Sequence, residues 1–81
     1  MIRVTLYTIS DCEYCKSVKY FFRQHKVEFK EKNISRSMSA AEEMAKKSGQ
    51  LDAPLIIARL NGKDNIIVGF DEKRLRELLR I

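Results

Sequence analysis

Hydrophobic and polar residues alternate at the start of the chain. Three apolar residues are separated by three polar or amphipathic ones, in the order Ile2, Arg3, Val4, Thr5, Leu6 and Tyr7. A period of two residues predicts a β-strand with one buried face, because successive side chains point to opposite sides. Ser10, followed three residues later by Glu13, matches a capping box and predicts the start of a helix. Residues three or four apart predict that helix's inner face: Cys15, Val18, Phe22 and His25.

A second strand and helix follow. Val27 and Phe29 are separated by a polar residue, which predicts a short strand. Ser39 and Glu42 form another capping box, and Gly49 can adopt the left-handed conformation that ends a helix. Two lysines just before this glycine suit the negative end of the helix dipole. The predicted inner stripe of this helix is Ala41, Met44, Ala45 and Ser48.

The last third of the chain predicts a hairpin and a final helix. Residues 55–58 are apolar without alternation, as in a strand covered on both faces. Asn61-Gly62 is a strong turn signal, and residues 66–68 predict the returning strand. Asp71 can cap a last helix, whose predicted inner face is Leu75, Leu78 and Leu79.

The predicted order of elements is β-α-β-α-β-β-α. Two strands joined through a helix run parallel, whereas two strands joined by a tight turn run antiparallel. The order therefore predicts an α/β fold with a mixed four-stranded sheet and helices on both faces. The pattern contains no linker or repeat, so we expect residues 1–81 to form a single domain.

The composition agrees with a folded domain and narrows its partners. The chain is 44% hydrophobic and 33% charged, with a formal net charge of +5. The basic residues are scattered in the manner of solvated helix faces, so we expect no nucleic-acid partner. No stretch approaches the roughly 18 apolar residues that span a bilayer, and residues 1–12 lack the apolar run of a signal peptide. We therefore expect a cytoplasmic protein, without a membrane partner and monomeric.

The two cysteines, Cys12 and Cys15, are the strongest chemical signal. A disulfide between residues this close constrains almost no loop, so in a reducing compartment the pair is expected to be catalytic or metal-binding. The pair lies where a strand leads into a helix, and the free N–H groups of a first helical turn stabilise a thiolate. Cys12 is then the attacking thiol. Cys15, on the apolar stripe, is the buried sulfur that resolves the mixed disulfide.

Alternatives to a redox dithiol remain open at this stage. A structural zinc needs four ligands, and only His25 could join the two cysteines within one chain. A dimer could pool two cysteine pairs around a metal or an iron–sulfur cluster, or both cysteines could be inert and buried. We expect no metal and no cofactor. Tyr14, between the cysteines, is interpreted as part of a substrate-facing rim. Pro54 is either a trans residue opening a strand or a cis turn beside the cysteines.

Four segments together carry a resemblance to a known family. They are Tyr7-Thr8, Cys12-x-Tyr14-Cys15, Ser48-Gly49-Gln50 followed by Pro54, and Gly69-Phe70-Asp71. These segments resemble the strand end, the C-P-Y-C site, the approach to the cis-proline of T-V-P, and the second half of G-G-x-D in glutaredoxins. The resemblance covers nearly the whole chain.

The resemblance implies a thioredoxin fold with sheet order 2-1-3-4 and a thiol–disulfide oxidoreductase acting on disulfide-bearing proteins or small molecules. It implies Cys12 as nucleophile and Cys15 as resolving thiol. It also implies a substrate groove that would receive glutathione. The residues implied for this groove are Tyr14, Ala53, Pro54, Gly69, Phe70 and Asp71.

The chain departs from the family pattern at several positions. Glu13 replaces the proline of C-P-Y-C, where it and Lys16 are expected to tune the thiol. Ile9 replaces a lysine that pairs with a glutathione carboxylate, and Val68 replaces the first glycine of G-G. Asp52 and Ala53 replace Thr-Val before the proline. We therefore expect glutathione to bind poorly. The chain also resembles the redoxins of ribonucleotide reductase, without their C-terminal S-G-F-R-P run, so the electron donor is either thioredoxin reductase or glutathione.

Overall fold

The computed structural model describes residues 2–81 and contains the seven predicted elements in the predicted order. They are β1 (Arg3–Thr8), α1 (Glu13–Gln24), β2 (Lys30–Asn33), α2 (Met38–Ser48), β3 (Leu55–Leu60), β4 (Lys63–Val68) and α3 (Glu72–Leu79). The strands form one sheet in the order β2-β1-β3-β4. β1 is parallel to β2 and antiparallel to β3, and β3 and β4 form the antiparallel hairpin. The predicted sheet order is confirmed.

The sheet is covered on both faces, as predicted. The larger core cluster lies between the sheet and α1 and α3, where Leu6, Phe22, Ile56 and Leu75 are fully buried. The smaller cluster joins the other face to α2 through Tyr7, Met44, Leu55 and Ile57. Because β1 is central, its alternation does not expose one face to solvent. Tyr7 is as buried as Leu6, whereas Ile2 lies before the strand and is exposed.

The capping boxes predicted the helices but misplaced their first residues. α1 is capped by Cys12, whose Sγ accepts the Cys15 N–H, and not by Ser10. The Ser10 backbone N–H instead donates to Ser35 Oγ. The predictions of Ser10 and Ser39 as caps are therefore wrong. In each case another side chain two residues away reaches the free N–H groups.

The second of these helices, α2, differs from its predicted details. Ser37 is its cap, accepting the Ala40 N–H, and Gly49 ends it in the left-handed conformation as predicted, with φ of 75°. Its buried residues are Ala40 and Met44, whereas Ala45 is exposed. Met44 is buried as predicted and Ala41 and Ser48 are partly buried, so the inner face differs from the predicted stripe in including Ala40 and excluding Ala45.

The second strand begins at Lys30, so the prediction of a strand at Val27 and Phe29 is wrong. Pairing decides the position, since Lys30 is the partner of Thr5 in the parallel register. Val27 and Phe29 precede the strand and still pack against the larger core. The helix before them buries Cys15, Val18 and Phe22 as predicted and Phe21 in addition, whereas His25 is its half-buried C-cap.

A hydrogen-bonded triad joins α2 to the sheet. The Tyr7 hydroxyl donates to Glu43 Oε2 at 2.6 Å, and Lys32 Nζ donates to the same oxygen at 2.5 Å. Burial, followed by the contact with Glu43, raises the pKa of Tyr7 far above its usual range. The hydrogen bonds from Lys32 and Tyr7 lower the pKa of Glu43, against a smaller opposing effect of burial. Three elements of the fold, β1, β2 and α2, are thus connected through one carboxylate oxygen.

Candidate active site

The cysteine pair lies at the start of α1, where the sequence predicted it. Cys12 and Cys15 are joined as a disulfide, with Cα atoms 5.2 Å apart. Cys15 is 2% exposed and lies on the buried side of the helix, whereas Cys12 is half-buried and reaches the surface. The predicted division into a buried and an accessible sulfur is confirmed. An external disulfide can therefore approach Cys12 more easily than Cys15.

The backbone around Cys12 favours a negatively charged sulfur. Its Sγ accepts the Cys15 N–H at 3.1 Å, in the position where a helix usually places a serine or aspartate oxygen. The N–H groups of this first turn have no carbonyl partners within the helix and form the positive end of its dipole. A thiolate that accepts such an N–H is stabilised relative to the thiol, and the thiolate is the form that attacks a disulfide.

A small cavity of about 200 Å³ surrounds the two sulfurs on the side of β2. Cys12, Cys15 and Ile9 are among the residues that line it. Its charged lining comes from three neighbouring elements and their connections: Asp11, Lys16, Lys19, Glu31 and Arg36. The redox pair is therefore surrounded by both signs of charge.

A second hydrogen-bonded triad contributes two residues, Lys19 and Glu31, to the lining of this cavity. The hydroxyl of Thr8, which is 1% exposed, donates to Glu31 Oε2 at 2.9 Å. Lys19 Nζ approaches the same oxygen at 3.3 Å. This arrangement fixes the carboxylate of β2 against α1 and satisfies the buried hydroxyl at the end of β1.

The two predicted tuning residues are in contact. Lys16 Nζ lies 3.6 Å from Glu13 Oε1, and both side chains are mostly exposed. Each therefore partly cancels the field of the other at the Cys12 sulfur. Glu13 is the first residue of α1, a position that also suits the proline it replaces in C-P-Y-C.

Pro54 lies at the same end of the sheet as the cysteines. Leu55, the first residue of β3, pairs with Tyr7, so Pro54 comes next to the end of β1. The Ala53–Pro54 bond is cis, which confirms the second of the two interpretations of this proline. Pro54 is buried, and its carbonyl accepts the Gly69 N–H at 2.7 Å. Gly69 has a φ of 80°, a conformation that favours glycine at the end of β4.

The other residues implied for a substrate groove have different surroundings. Tyr14 is 69% exposed, as a rim residue must be. Phe70 packs edge-on against Phe21 at 5.9 Å between ring centres, so part of its surface belongs to the core. Asp71 caps α3 by accepting the Arg74 N–H at 3.1 Å. The structure therefore gives Phe70 and Asp71 structural contacts in addition to any role in binding.

A larger groove lies on the opposite side of α1. It measures about 580 Å³ and runs from Glu13 and Lys16 along Tyr20 to His25, with Phe70 and Glu72 on its far wall. It begins beside the cysteine motif, but the sulfurs do not line it.

Among residues 2–81, no group of three or more histidine, cysteine or acidic side chains is arranged to hold a metal ion. Over the same residues, no helix is long and apolar enough to cross a membrane.

Comparison with known families decides the assignment. The family model described as glutaredoxin matches residues 4–63, which include all of β1 but its first residue, the cysteine motif, Pro54 and the turn after β3. The chain belongs to the glutaredoxin family.

Three proteins similar to this glutaredoxin-family chain are described as a glutaredoxin-like protein, a glutaredoxin and a methanoredoxin. A Clostridium pasteurianum protein, described as an uncharacterized glutaredoxin-like protein in a rubredoxin operon, is 30% identical over 76 residues, covering 94% of this chain and 96% of its own. Glutaredoxin from Archaeoglobus fulgidus superposes with a TM-score of 0.82 at 26% identity, over 100% of this chain and 89% of that one. Methanoredoxin from Methanosarcina acetivorans superposes with a TM-score of 0.82 at 26% identity, over 98% of this chain and 85% of that one. The protein therefore has the thioredoxin fold of a thiol–disulfide oxidoreductase with a Cys-x-x-Cys site.

Five residues around the sulfurs were not predicted from the sequence. They line the cysteine cavity from the loop before α1, from α1, from β2 and from the turn before α2: Asp11, Lys19, Glu31, Asn33 and Arg36. In the sequence they are ordinary surface charges and amides without a motif. The parallel register that places Glu31 beside Leu6 and Asn33 beside Thr8 brings these two residues of β2 close to the cysteines.

Proposed function

We propose that this glutaredoxin-family protein reduces protein disulfides, with Cys12 as the attacking thiol and Cys15 as the resolving thiol. The observation that carries the proposal is the difference between the two sulfurs. Cys12 reaches the surface and accepts a helix N–H, and Cys15 is buried one turn below it. A sulfur that is both accessible and stabilised as a thiolate is suited to attack, whereas a buried sulfur is suited to resolve an adjacent mixed disulfide.

The proposed reaction proceeds in two exchanges. The Cys12 thiolate attacks one sulfur of the target disulfide, whose S–S bond breaks and releases the other sulfur as a thiolate that takes up a proton. The Cys15 thiolate then attacks the Cys12 sulfur and displaces the bound sulfur as the second thiol. The protein loses two electrons and two protons to the target, and its own disulfide forms. An electron donor must then return the two electrons and two protons to reduce this disulfide again.

We assign the donor role to thioredoxin reductase and not to glutathione. Ile9 lines the cysteine cavity where a lysine would pair with a glutathione carboxylate. Asp52 adds an exposed carboxylate beside the cis-proline turn, and the Val68 side chain is 48% exposed at the strand end. The loss of one charge-assisted hydrogen bond alone costs about 1.5–3 kcal/mol, which is roughly ten- to a hundredfold in affinity.

Two coupled assays on the oxidised protein test the donor. Thioredoxin reductase with NADPH should reduce it efficiently, whereas glutathione with glutathione reductase should do so poorly. The variant Ile9→Lys should gain turnover with glutathione and leave the other assay unchanged. Efficient glutathione-coupled turnover by the unmodified protein would overturn the assignment of the donor without affecting the role of Cys12.

The proposal also includes a cytoplasmic location and a monomer. A reducing compartment suits a dithiol that must be returned to its reduced form in each cycle. Sedimentation of the purified protein tests whether it is a monomer. A zinc assay, together with a visible absorbance spectrum, tests the alternative hypothesis that the protein carries a metal ion or an iron–sulfur cluster. A dimer with bound metal and protected thiols would overturn the proposed reductase.

A further inference from the structure

The turn between β2 and α2 is fixed against the loop that carries the cysteines. The Ile34 N–H donates to the Thr8 carbonyl at 2.8 Å, and the Ser10 N–H donates to Ser35 Oγ at 3.1 Å. Within the turn, the Ser35 N–H donates to Asn33 Oδ1 at 2.8 Å. Two hydrogen bonds therefore hold this turn beside the entrance to Cys12, and its backbone position does not depend on a ligand.

Arg36 comes from this fixed turn and lines the cysteine cavity. Its backbone N–H donates to the Asn33 carbonyl at 3.2 Å, which orients the residue at the end of the turn. Its exposed side chain forms part of the wall that includes Cys12 and Cys15. A guanidinium presents paired N–H donors in a plane that matches a carboxylate.

The guanidinium of Arg36 has no partner among the ion pairs around the cavity. Lys19 is paired with Glu31 at 3.3 Å, and Lys16 is paired loosely with Glu13 at 3.6 Å. Arg36 forms no ion pair with any of residues 2–81. Asp11, the remaining charged group of the cavity wall, also has no ion pair there and opposes an incoming anion.

We propose that Arg36 is a specificity-determining residue, which binds the carboxylate of an acidic residue next to the cysteine of the target disulfide. This inference rests on the proposed function, since it concerns which disulfides that reaction prefers. The guanidinium pairs with the target's aspartate or glutamate while the target sulfur lies at Cys12. The two exchange steps are unchanged, and the contact acts by increasing the time that the target spends in position for attack.

Matched peptides test the proposal. Short peptides with neutral ends and one cysteine, activated as the mixed disulfide with the neutral 2-thiopyridine, carry either Glu or Gln beside that cysteine. The reduced protein is mixed with each peptide at low ionic strength, and the release of thiopyridone measures the rate of attack. Reaction of each peptide with a neutral dithiol corrects for its intrinsic reactivity.

The unmodified protein should prefer the Glu peptide by about two- to fivefold, the range of an exposed ion pair. This preference should shrink at high salt. It should disappear in Arg36→Gln, reverse in Arg36→Glu and increase in Asp11→Asn. Lys63→Gln, which removes the same charge at the far end of the sheet, should retain it.

Equal rates for the two peptides in the unmodified protein would overturn the role of Arg36, and so would a preference that survives Arg36→Gln. Loss of the preference in Lys63→Gln as well would show attraction by the net charge and not by this residue. Failure of both peptides to react with Cys12 would instead overturn the proposed function. Reaction of the Gln peptide with Cys12 thus supports the proposed function even where the role of Arg36 is contradicted.

Discussion

Two adjacent residues of β1 begin similar hydrogen-bonded triads on opposite faces of the sheet. On one face, Tyr7 and Lys32 donate to Glu43 of α2. On the other, Thr8 and Lys19 donate to Glu31 of β2. Each triad consists of a buried hydroxyl, a glutamate and a lysine. Successive residues of a strand point to opposite faces. Lys32, the register partner of Tyr7, therefore joins one triad, and Glu31, the register partner of Leu6, lies on the same face as Thr8 and joins the other.

The two triads differ in strength and in what lies beside them. The Tyr7 triad has contacts of 2.6 and 2.5 Å, whereas those of the Thr8 triad are 2.9 and 3.3 Å. The Tyr7 triad attaches a helix to the sheet, and the Thr8 triad contributes Lys19 and Glu31 to the wall around the cysteines. One arrangement of groups therefore stabilises the fold on one face and sets the electrostatic surroundings of the redox site on the other.

Removal of the stronger triad should have the largest effect on stability. Glu43→Ala deprives the hydroxyl of the buried Tyr7 of its acceptor, and an unsatisfied buried donor costs about 1–3 kcal/mol. Urea unfolding should show this loss, while the rate of disulfide reduction at low temperature stays unchanged. Glu43→Gln, which retains an acceptor oxygen, should lose less. An equal loss in both variants would show that the charge, and not the acceptor, matters.

The same triad should make stability depend on acidity. Hydrogen bonds from Lys32 and Tyr7 lower the pKa of Glu43 in the folded protein. Its contribution is therefore complete above the unfolded-state pKa of about 4.3 and is lost as pH falls through the lower folded-state pKa. Unfolding free energies measured downward from about pH 6 should fall less steeply in Glu43→Gln, by up to about 1 kcal/mol for a partly exposed pair. Parallel pH curves would contradict this assignment.

On the redox face, Glu13→Pro should make the reduction potential less negative by at most about 15 mV. Two like unit charges about 6 Å apart repel by about 0.7 kcal/mol in water, and a repulsion of this order between the Glu13 carboxylate and the Cys12 thiolate destabilises only the reduced form. The contact with Lys16 offsets part of this repulsion. Equilibration with a thiol buffer of known potential measures the shift, and Lys16→Gln should shift it in the opposite direction. A more negative potential in Glu13→Pro would show that the backbone effect of proline dominates.

The smallest expected effect distinguishes the two triads most sharply. Glu31→Gln should make the potential less negative by about 10 mV, because it removes a carboxylate near the thiolate and leaves the charge of Lys19 uncompensated. Glu43→Gln, the same substitution on the other face, should leave the potential unchanged. Equal shifts in the two variants would show that net charge, and not the location beside the cysteines, is responsible.

The sequence predicted what depends on local patterns. The order of elements followed from periodicity and turn signals, and the division between Cys12 and Cys15 followed from helical spacing. The cap of α1 was misplaced because a sulfur occupies a position where the pattern expects oxygen. The start of β2 was misplaced because pairing with β1, and not its own alternation, decides it.

The parts of the site that could not be predicted depend on contacts between distant segments. Thr8 and Glu31 are 23 positions apart, and Tyr7 and Glu43 are 36 apart. Each residue alone resembles an ordinary strand or surface residue. The adjacent Glu31 and Lys32 acquire their roles only when the register turns one toward α1 and the other toward α2. Arg36 likewise reaches the cysteine cavity only because its turn is fixed to the loop after β1.

Trapping of the mixed disulfide tests most directly the central claim that Cys12 attacks. Cys15→Ser should react rapidly with a disulfide-bearing peptide and stop as a stable mixed disulfide on Cys12, detected by mass spectrometry. Cys12→Ser, whose serine can still cap α1, should react slowly and show no reductase activity. Rapid adduct formation on Cys15 in Cys12→Ser, or retained reductase activity in that variant, would contradict the account.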